Sequence, residues 1–189
     1  MYATREEWLQ AAAALLEPLY ADTPANPHPI RVSVGFPAGA RGRNKTIGQC
    51  HYAADDSVPQ VFIHPELVDP VRVLDVLAHE LAHAYLPVGT GHKGHFVTTV
   101  RALGLEGKAT ATVAGEQFKV DALELVDVLG PYPHARLTYE NARGKKQTTR
   151  QVKVECECGL IYRASRTALE NAGCLGCLDR TCDGQVSVG

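Results

Sequence analysis

The chain has 189 residues, of which 45% are hydrophobic and 21% charged, with a formal net charge of −2 at pH 7. These values are typical of a soluble globular protein, and the length suits one moderate domain followed by a small one. No apolar run approaches the length needed to cross a bilayer, so we expect neither a membrane-spanning segment nor a membrane partner. No secretory signal is visible, and we expect a cytoplasmic protein.

The predicted elements alternate between helices and short strands over the first two thirds of the chain. Thr4 and Glu7 have the spacing of a capping box, which predicts a first helix that ends near Tyr20. Alternating apolar residues predict three strands, at residues 30–34, 46–52 and 60–64. Helical patterns predict three later helices, at residues 70–85, 95–103 and 116–129. We therefore expect an α+β fold for this part of the chain.

The rest of the chain divides into a linker and a second small domain. Residues 136–150 are basic, polar and poor in bulky apolar side chains, which indicates a linker. Five of the six cysteines follow residue 155. We therefore predict a first domain at 1–135, a basic linker at 136–150 and a cysteine-rich domain at 151–189.

The segment His79-Glu80-Leu81-Ala82-His83 is the most informative motif. Residues four apart on a helix lie on the same face, so His79 and His83 can bind one Zn²⁺ while Glu80 reaches a water beside it. The surrounding helix is apolar on most sides and is predicted to be buried. Buried histidines and a buried glutamate cost free energy unless a partner such as a metal ion compensates them.

A catalytic zinc site needs a third protein ligand and keeps the fourth position for water. The metzincin position, six residues after the second histidine, holds Gly89, so that reading fails. Glu106 is the nearest gluzincin-type candidate, but it stands in a Leu-Glu-Gly turn. His92 and His95 follow a glycine hinge that can bring a second helix beside the first, and both remain candidates from the residues alone.

Several short motifs between Ile47 and Leu105 resemble the core of the SprT-like zinc metalloproteases. They are Ile47-Gly48-Gln49, Val61-Phe62-Ile63-His64-Pro65, the segment His79–Ala84, and Gly91-His92 with Phe96 four residues on. In that family an aromatic residue stands four positions after the third histidine, so the resemblance selects His92 as the ligand and leaves His95 as the alternative. The sequence departs from the family at Lys93, where glycine usually follows that histidine directly.

The resemblance implies a zincin-like metalloprotease domain, a small sheet plus active-site helices, followed by a small β zinc ribbon. It is closest to the short bacterial and bacteriophage type. It implies a catalytic Zn²⁺ held by His79, His83 and His92, with Glu80 as general base. The strand at 61–64 precedes the motif helix as the substrate-pairing strand does in such enzymes, which suggests peptide docking there. Candidates for stabilising the oxyanion are His95, Arg101, Tyr85 and the basic loop at 41–45.

Cysteine pairs near the end of the chain predict a second, structural zinc ion. Cys156 and Cys158 are separated by fifteen residues from Cys174 and Cys177, a spacing typical of a zinc ribbon. Four ligands are required, and Cys182 is the alternative within the second group. Close pairs in a chain without a secretory signal indicate metal rather than disulfides. Cys50, alone in a strand, is predicted to be a buried small apolar residue.

The leading functional hypothesis is an intracellular zinc-dependent metalloendopeptidase that acts as a monomer on protein or peptide substrates. Resemblance to the DNA–protein crosslink proteases adds nucleic-acid-bound proteins as substrates, with DNA contacted through the basic linker and the ribbon. The alternative is a nucleic-acid-binding adaptor whose HExxH domain does not cleave or cleaves only itself. Retention of Glu80 favours the enzyme, because a structural metal site has no use for a base.

Overall fold

The computed structural model describes residues 2–38, 46–52, 55–138, 151–171, 177–179 and 181–188. The chain divides into two compact units, Met1–Ala142 and Arg143–Gly189. Helices and small sheets make up both, so the α+β part of the predicted fold class is confirmed. Most of the predicted linker, residues 139–150, lies outside the described residues. Within the described part of the chain, every helix is too short or too polar to span a membrane.

The first unit contains a three-stranded sheet made of β1 (Arg31–Val34), β2 (Gly48–His51) and β3 (Gln60–Ile63). β3 lies in the middle, parallel to β1 and antiparallel to β2. Both edges of β3 are therefore paired, and the expectation that a substrate strand docks on residues 61–64 is wrong. β2 is an edge strand of this sheet, as far as the described strands go, and it packs against the helix that carries the motif.

The capping box predicted at the first helix is present. The Glu7 N–H donates to Thr4 Oγ1 over 3.1 Å, and the Glu7 carboxylate accepts from the Thr4 N–H. The α-helical part, α1 (Arg5–Leu16), ends earlier than the predicted Tyr20, and a 3₁₀ turn covers Glu17–Tyr20. Pro18 explains this change, because proline has no N–H with which to continue the helical ladder.

Three further helices of the first unit occupy nearly the predicted positions: α2 (Pro70–Tyr85), α3 (His95–Ala102) and α4 (Glu116–Leu129). Asp69 caps α2 by accepting a hydrogen bond from the Arg72 N–H over 2.7 Å. Between α3 and α4 lies an antiparallel hairpin of β4 (Leu105–Lys108) and β5 (Ala111–Ala114), which the sequence analysis did not predict.

Apolar packing holds α2 at the centre of the first unit. The helix contacts α1, α3, α4, β2, β3 and β5, and most of its residues are buried, as predicted. The large side chains fully buried around it include Trp8, Ile63, Phe96 and Phe118. Each such side chain contributes roughly 1.5–3 kcal/mol when it leaves water. The first unit therefore has a core that positions α2 by side-chain packing.

A buried cation ties the end of the first unit to its beginning. Arg5 is 5% exposed. Its guanidinium lies over the aromatic ring of Tyr132, with the guanidinium carbon 4.8 Å from the ring centroid. The guanidinium donates hydrogen bonds to four backbone carbonyls, those of Pro65, Pro133, His134 and Ala135. These carbonyls take the place of a carboxylate partner, so residues 132–135 are fixed against the start of α1.

The second unit is a small antiparallel sheet with the strand order β7-β6-β8. Its elements are β6 (Gln151–Cys156), β7 (Ile161–Ser165), a short helix α5 (Arg166–Asn171) and β8 (Val186–Val188). Among its described residues, the buried apolar side chains are Val154 and Cys156. Two such side chains are too few to stabilise a sheet, so the unit requires another source of stability.

Candidate metal centres

Three histidines converge at the C-terminal end of α2. His79 and His83 lie one turn apart on that helix, and His92 comes from the loop before α3. Gly89 and Gly91 have φ values of 87° and 59°, which lets the loop fold back toward the helix. One ring nitrogen of each histidine lies within 4.8 Å of the others. His95, the alternative third ligand, is exposed and does not belong to this group.

The spacing and protonation of these rings fit a metal ion such as zinc. His83 Nε2 and His92 Nε2 are 3.1 Å apart. Two nitrogens on a tetrahedral zinc ion, each at about 2.0–2.1 Å from it, are about 3.3–3.4 Å apart. Burial lowers the pKa of His79 to about 3 and that of His83 to about 4, so both rings are neutral at pH 7. Neutral imidazole is the form that binds metal ions.

Phe96 supports all three imidazole rings from the core side. Its ring stacks on His83 with centroids 4.1 Å apart and an interplanar angle of 23°. The rings of His79 and His92 each meet it edge-on at 5.0 Å. Because α3 begins at His95, Phe96 is fixed in the first turn of that helix, fully buried. The docking of α3 therefore sets the arrangement of the histidines.

Glu80 lies next to the histidines in a pocket that removes it from water. The residue is 7% exposed, and burial raises the pKa of its carboxyl to about 8, opposed by a hydrogen bond from the Cys50 backbone N–H. Gly48 makes this packing feasible, because a Cβ at that position would lie 2.6 Å from Glu80 Oε1 and 2.7 Å from Val76 Cγ1. The edge strand β2 can approach α2 this closely only with glycine at position 48.

Two adjoining cavities open onto His79 and Glu80. The first measures about 610 Å³ and runs along the β4–β5 hairpin, with Arg72, Lys108 and Thr112 in its wall. The second measures about 410 Å³ and is lined by the three histidines, by β2 and by Tyr52. An extended chain that enters the second cavity would lie beside β2 and face the three histidines.

Several residues expected to stabilise an oxyanion lie elsewhere. Tyr85 is buried, packs edge-on against Tyr20 with 5.1 Å between the ring centroids, and lines neither of the two cavities at His79 and Glu80. The Arg101 guanidinium donates to the backbone carbonyls of Leu105 and Gly107. The basic loop at 41–45 lies outside the described residues. Sequence reasoning missed Tyr52, whose hydroxyl borders the second cavity and donates to the His83 carbonyl over 2.7 Å.

Sequence reasoning also missed the partner of the first histidine. His79 Nδ1 lies 2.8 Å from Thr112 Oγ1, on the unpredicted hairpin strand β5. The two residues are 33 positions apart, so no local spacing could indicate the contact. This hydrogen bond leaves Nε2 as the ring nitrogen of His79 that is free to face a metal ion.

Four cysteines of the second unit form a separate group. The sulfur atoms of Cys156, Cys158, Cys177 and Cys182 lie within 4.8 Å of one another. Two of the separations, Cys156 to Cys182 and Cys158 to Cys177, are 3.6 Å. These are too long for a disulfide of about 2.05 Å. They are close to the separation of about 3.8 Å between two thiolates on a tetrahedral zinc ion.

The structure therefore places Cys182, the alternative ligand, in the group. Cys174, which the spacing favoured, lies outside the described residues. Gly184 accommodates the cluster, since a Cβ there would lie 3.1 Å from the sulfur atoms of both Cys156 and Cys182. Cys50 belongs to neither group of described ligands and lies half-buried on β2, where burial raises the pKa of its thiol to about 12.

Comparison of the chain with protein-family models, with curated proteins and with solved structures yields no match. The resemblance to SprT-like metalloproteases thus remains a prediction made from short motifs. The two ligand groups can each bind a metal ion.

Proposed function

We propose that this chain is a zinc-dependent endopeptidase with a zincin-like first unit of the SprT-like type. The observation that carries the proposal is the placement of Glu80 beside His79, His83 and His92, at the wall of a cavity bordered by an edge strand. A purely structural metal site would not need a glutamate that is 7% exposed and belongs to no ion pair among the described residues.

The donor set determines what a metal ion can contribute. His79, His83 and His92 would hold Zn²⁺, which supplies Lewis acidity toward a carbonyl group and acidifies a nearby water. Three protein ligands leave room for substrate, as in catalytic zinc sites. The four thiolates of the second unit would complete a closed, structural site.

The edge strand β2 is suited to bind an extended substrate. Peptide N–H and C=O groups can pair with the open edge of β2 by strand addition, which reads the backbone of the substrate. The substrate then lies over the second cavity, between residues 48–51 and the histidines. Gly48 and the pairing of β2 with β3 keep the strand at a fixed distance from Glu80.

Glu80 acts as the general base in the proposed reaction. Its carboxylate takes a proton from the water that adds to the scissile carbonyl carbon. It then gives that proton to the amine nitrogen as the C–N bond breaks. Burial alone raises the pKa of Glu80 to about 8, whereas a Zn²⁺ ion held by the neighbouring histidines would lower that pKa and keep the carboxylate ionised as a base.

The resemblance and the second unit support proteins bound to nucleic acid as substrates. Lys153 and Arg163 are register partners on β6 and β7, and Arg166 follows on α5, so three basic side chains lie on adjoining elements, with Lys153 paired to Glu155 over 2.6 Å. Phosphate contacts by such residues weaken as salt rises. A thiolate metal site suits a reducing compartment, and we propose the cytoplasm. These same basic residues favour the second candidate function, a nucleic-acid-binding adaptor that does not cleave.

The test is hydrolysis of casein and of a DNA-crosslinked protein by the full chain, with and without single-stranded DNA. Glu80→Gln is the control, because it preserves the side-chain size and all three histidines. Loss of a general base lowers the rate by about 10²–10⁴-fold, while zinc content should stay the same. If wild type and Glu80→Gln are equally inert on all protein substrates yet both bind DNA, the protease proposal fails and the adaptor remains.

A further inference from the structure

Thr112 is placed to control the orientation of a metal ligand. The residue is 6% exposed, and its hydroxyl oxygen lies 2.8 Å from Nδ1 of His79. A hydroxyl is an unusual hydrogen-bond partner for a metal-binding histidine, since the second ring nitrogen most often bonds to a carboxylate or a backbone carbonyl. The position of Thr112 must therefore be set accurately by the strand that carries it.

That strand is fixed to α2 by the ion pair of Arg72 with the buried Asp75, one turn before His79. The Asp75 carboxylate, on a residue 3% exposed, accepts two hydrogen bonds from Arg72, at 2.7 and 2.8 Å. It also accepts the Ala114 N–H over 3.1 Å. Arg72 donates in turn to the Thr112 carbonyl over 3.3 Å. The Thr112 carbonyl and the Ala114 N–H are therefore both hydrogen-bonded to side chains of α2, the helix that bears His79.

We infer that Thr112 is a positioning residue that keeps the proton of His79 on Nδ1 and aims Nε2 at the metal. Nδ1–H donates to the hydroxyl oxygen, and this selects one of the two neutral tautomers of the ring. Without the hydroxyl, the ring can rotate or carry its proton on Nε2, where it blocks coordination. The inference rests on the metal site of the proposed function but not on peptide cleavage.

The test compares two buried threonines in the metal-free full chain. Thr112→Val removes the hydroxyl and keeps the shape of the side chain. Thr99→Val is the matched control, because Thr99 is fully buried and its hydroxyl has no hydrogen-bond partner among the described residues. Thr112→Ser keeps the hydroxyl, and Thr112→Ala is a second variant that lacks it. Thermal unfolding of each metal-free variant establishes that it folds.

Metal binding is measured by titration with Co²⁺ followed by competition with Zn²⁺. Charge-transfer absorption from thiolate to Co²⁺ reports the cysteine site. Visible d–d bands of Co²⁺ that appear without this charge transfer report the histidine site. Loss of such a supporting hydrogen bond costs about 10–100-fold in metal affinity. We expect that loss at the histidine site for Thr112→Val and Thr112→Ala, with no change at the cysteine site. Thr112→Ser and Thr99→Val should both stay close to wild type.

Two results would overturn the inference while leaving the proposed function intact. One is an unchanged histidine site in Thr112→Val, and the other is an equal loss in Thr99→Val. If the histidine site of the wild type binds neither Co²⁺ nor Zn²⁺, both the inference and the proposed function fail.

Discussion

The two units relate their ligand groups to their cores in opposite ways. In the first, α2 is surrounded by large buried side chains, and the histidines lie at the rim of that core on the ring of Phe96. In the second, Val154 and Cys156 are the buried apolar side chains among the described residues. Similar groups of metal-binding side chains can therefore serve different purposes. A metal ion bound by the histidines would be added to a scaffold that is already packed, whereas one bound by the cysteines would complete the small sheet.

The largest predicted effect is the loss of the second unit when one thiolate is removed. Structural zinc ions contribute about 10–16 kcal/mol to the folding of small zinc domains. Cys156→Ser should therefore abolish hydrogen-exchange protection in β6, β7 and β8 and leave α2 protected. Cys50→Ser is the control and should leave both units protected. Retained protection of β6 in Cys156→Ser would show that the second unit has a sufficient core of its own.

The second prediction concerns the histidine site. His92→Ala should weaken metal binding there by more than the roughly 100-fold expected for a supporting residue. The thermal unfolding of the metal-free first unit should change little, because its core does not depend on the ion. His95→Ala is the matched control, an exposed histidine three residues away. The opposite pattern, with metal lost in His95→Ala only, would mean that the ligand is shifted by three residues.

The third prediction tests whether the first unit is stabilised by its own packing and hydrogen bonds. Arg5→Met leaves four carbonyl acceptors without their donor, and a buried unsatisfied group costs about 1–3 kcal/mol. We expect the free energy of unfolding to fall by about 2–4 kcal/mol, since some carbonyls will find water. Urea unfolding followed by Trp8 fluorescence measures it. Arg31→Met, which breaks an exposed pair with Asp56, should have little effect.

The smallest predicted effect separates catalysis from metal binding. Gly48→Ala places a Cβ against Glu80 and Val76, so the base or the edge strand must shift. Displacements of this size cost roughly 10–100-fold in rate, and we expect that loss in kcat/KM with unchanged zinc content. Gly35→Ala is the control, because its Cβ would meet Phe62 at an ordinary 3.5 Å. Equal activity of the two variants would mean that β2 does not position Glu80.

The parts of the site that lie within one element were predictable from the sequence. His79, Glu80 and His83 share one helix, where the spacing of four fixes their common face. The caps at Thr4 and Asp69 likewise depend on residues three positions apart. Such features follow from local geometry, which a single sequence contains.

Features that join distant elements could not be predicted in the same way. The contact from Thr112 to His79 depends on a hairpin whose first strand, Leu-Glu-Gly-Lys, has no alternating pattern. The central position of β3 depends on pairing with both of its neighbours, and strand order is not encoded in the strand itself. The place of Cys182 in the cluster depends on how the loop before β8 folds, whereas spacing alone favoured the closer pair.

The ring of Phe96 has a consequence for how metal ions enter and leave. It holds three imidazoles in place through core packing, so an ion that arrives has little ordering to impose and one that departs leaves the rings where they were. Exchange at the histidine site then needs no unfolding of the chain. At the cysteine site, departure of an ion removes the support of the sheet, so exchange is coupled to its opening. In a solution where zinc is scarce, the histidine site would therefore follow the free zinc concentration promptly, while the cysteine site would retain its ion.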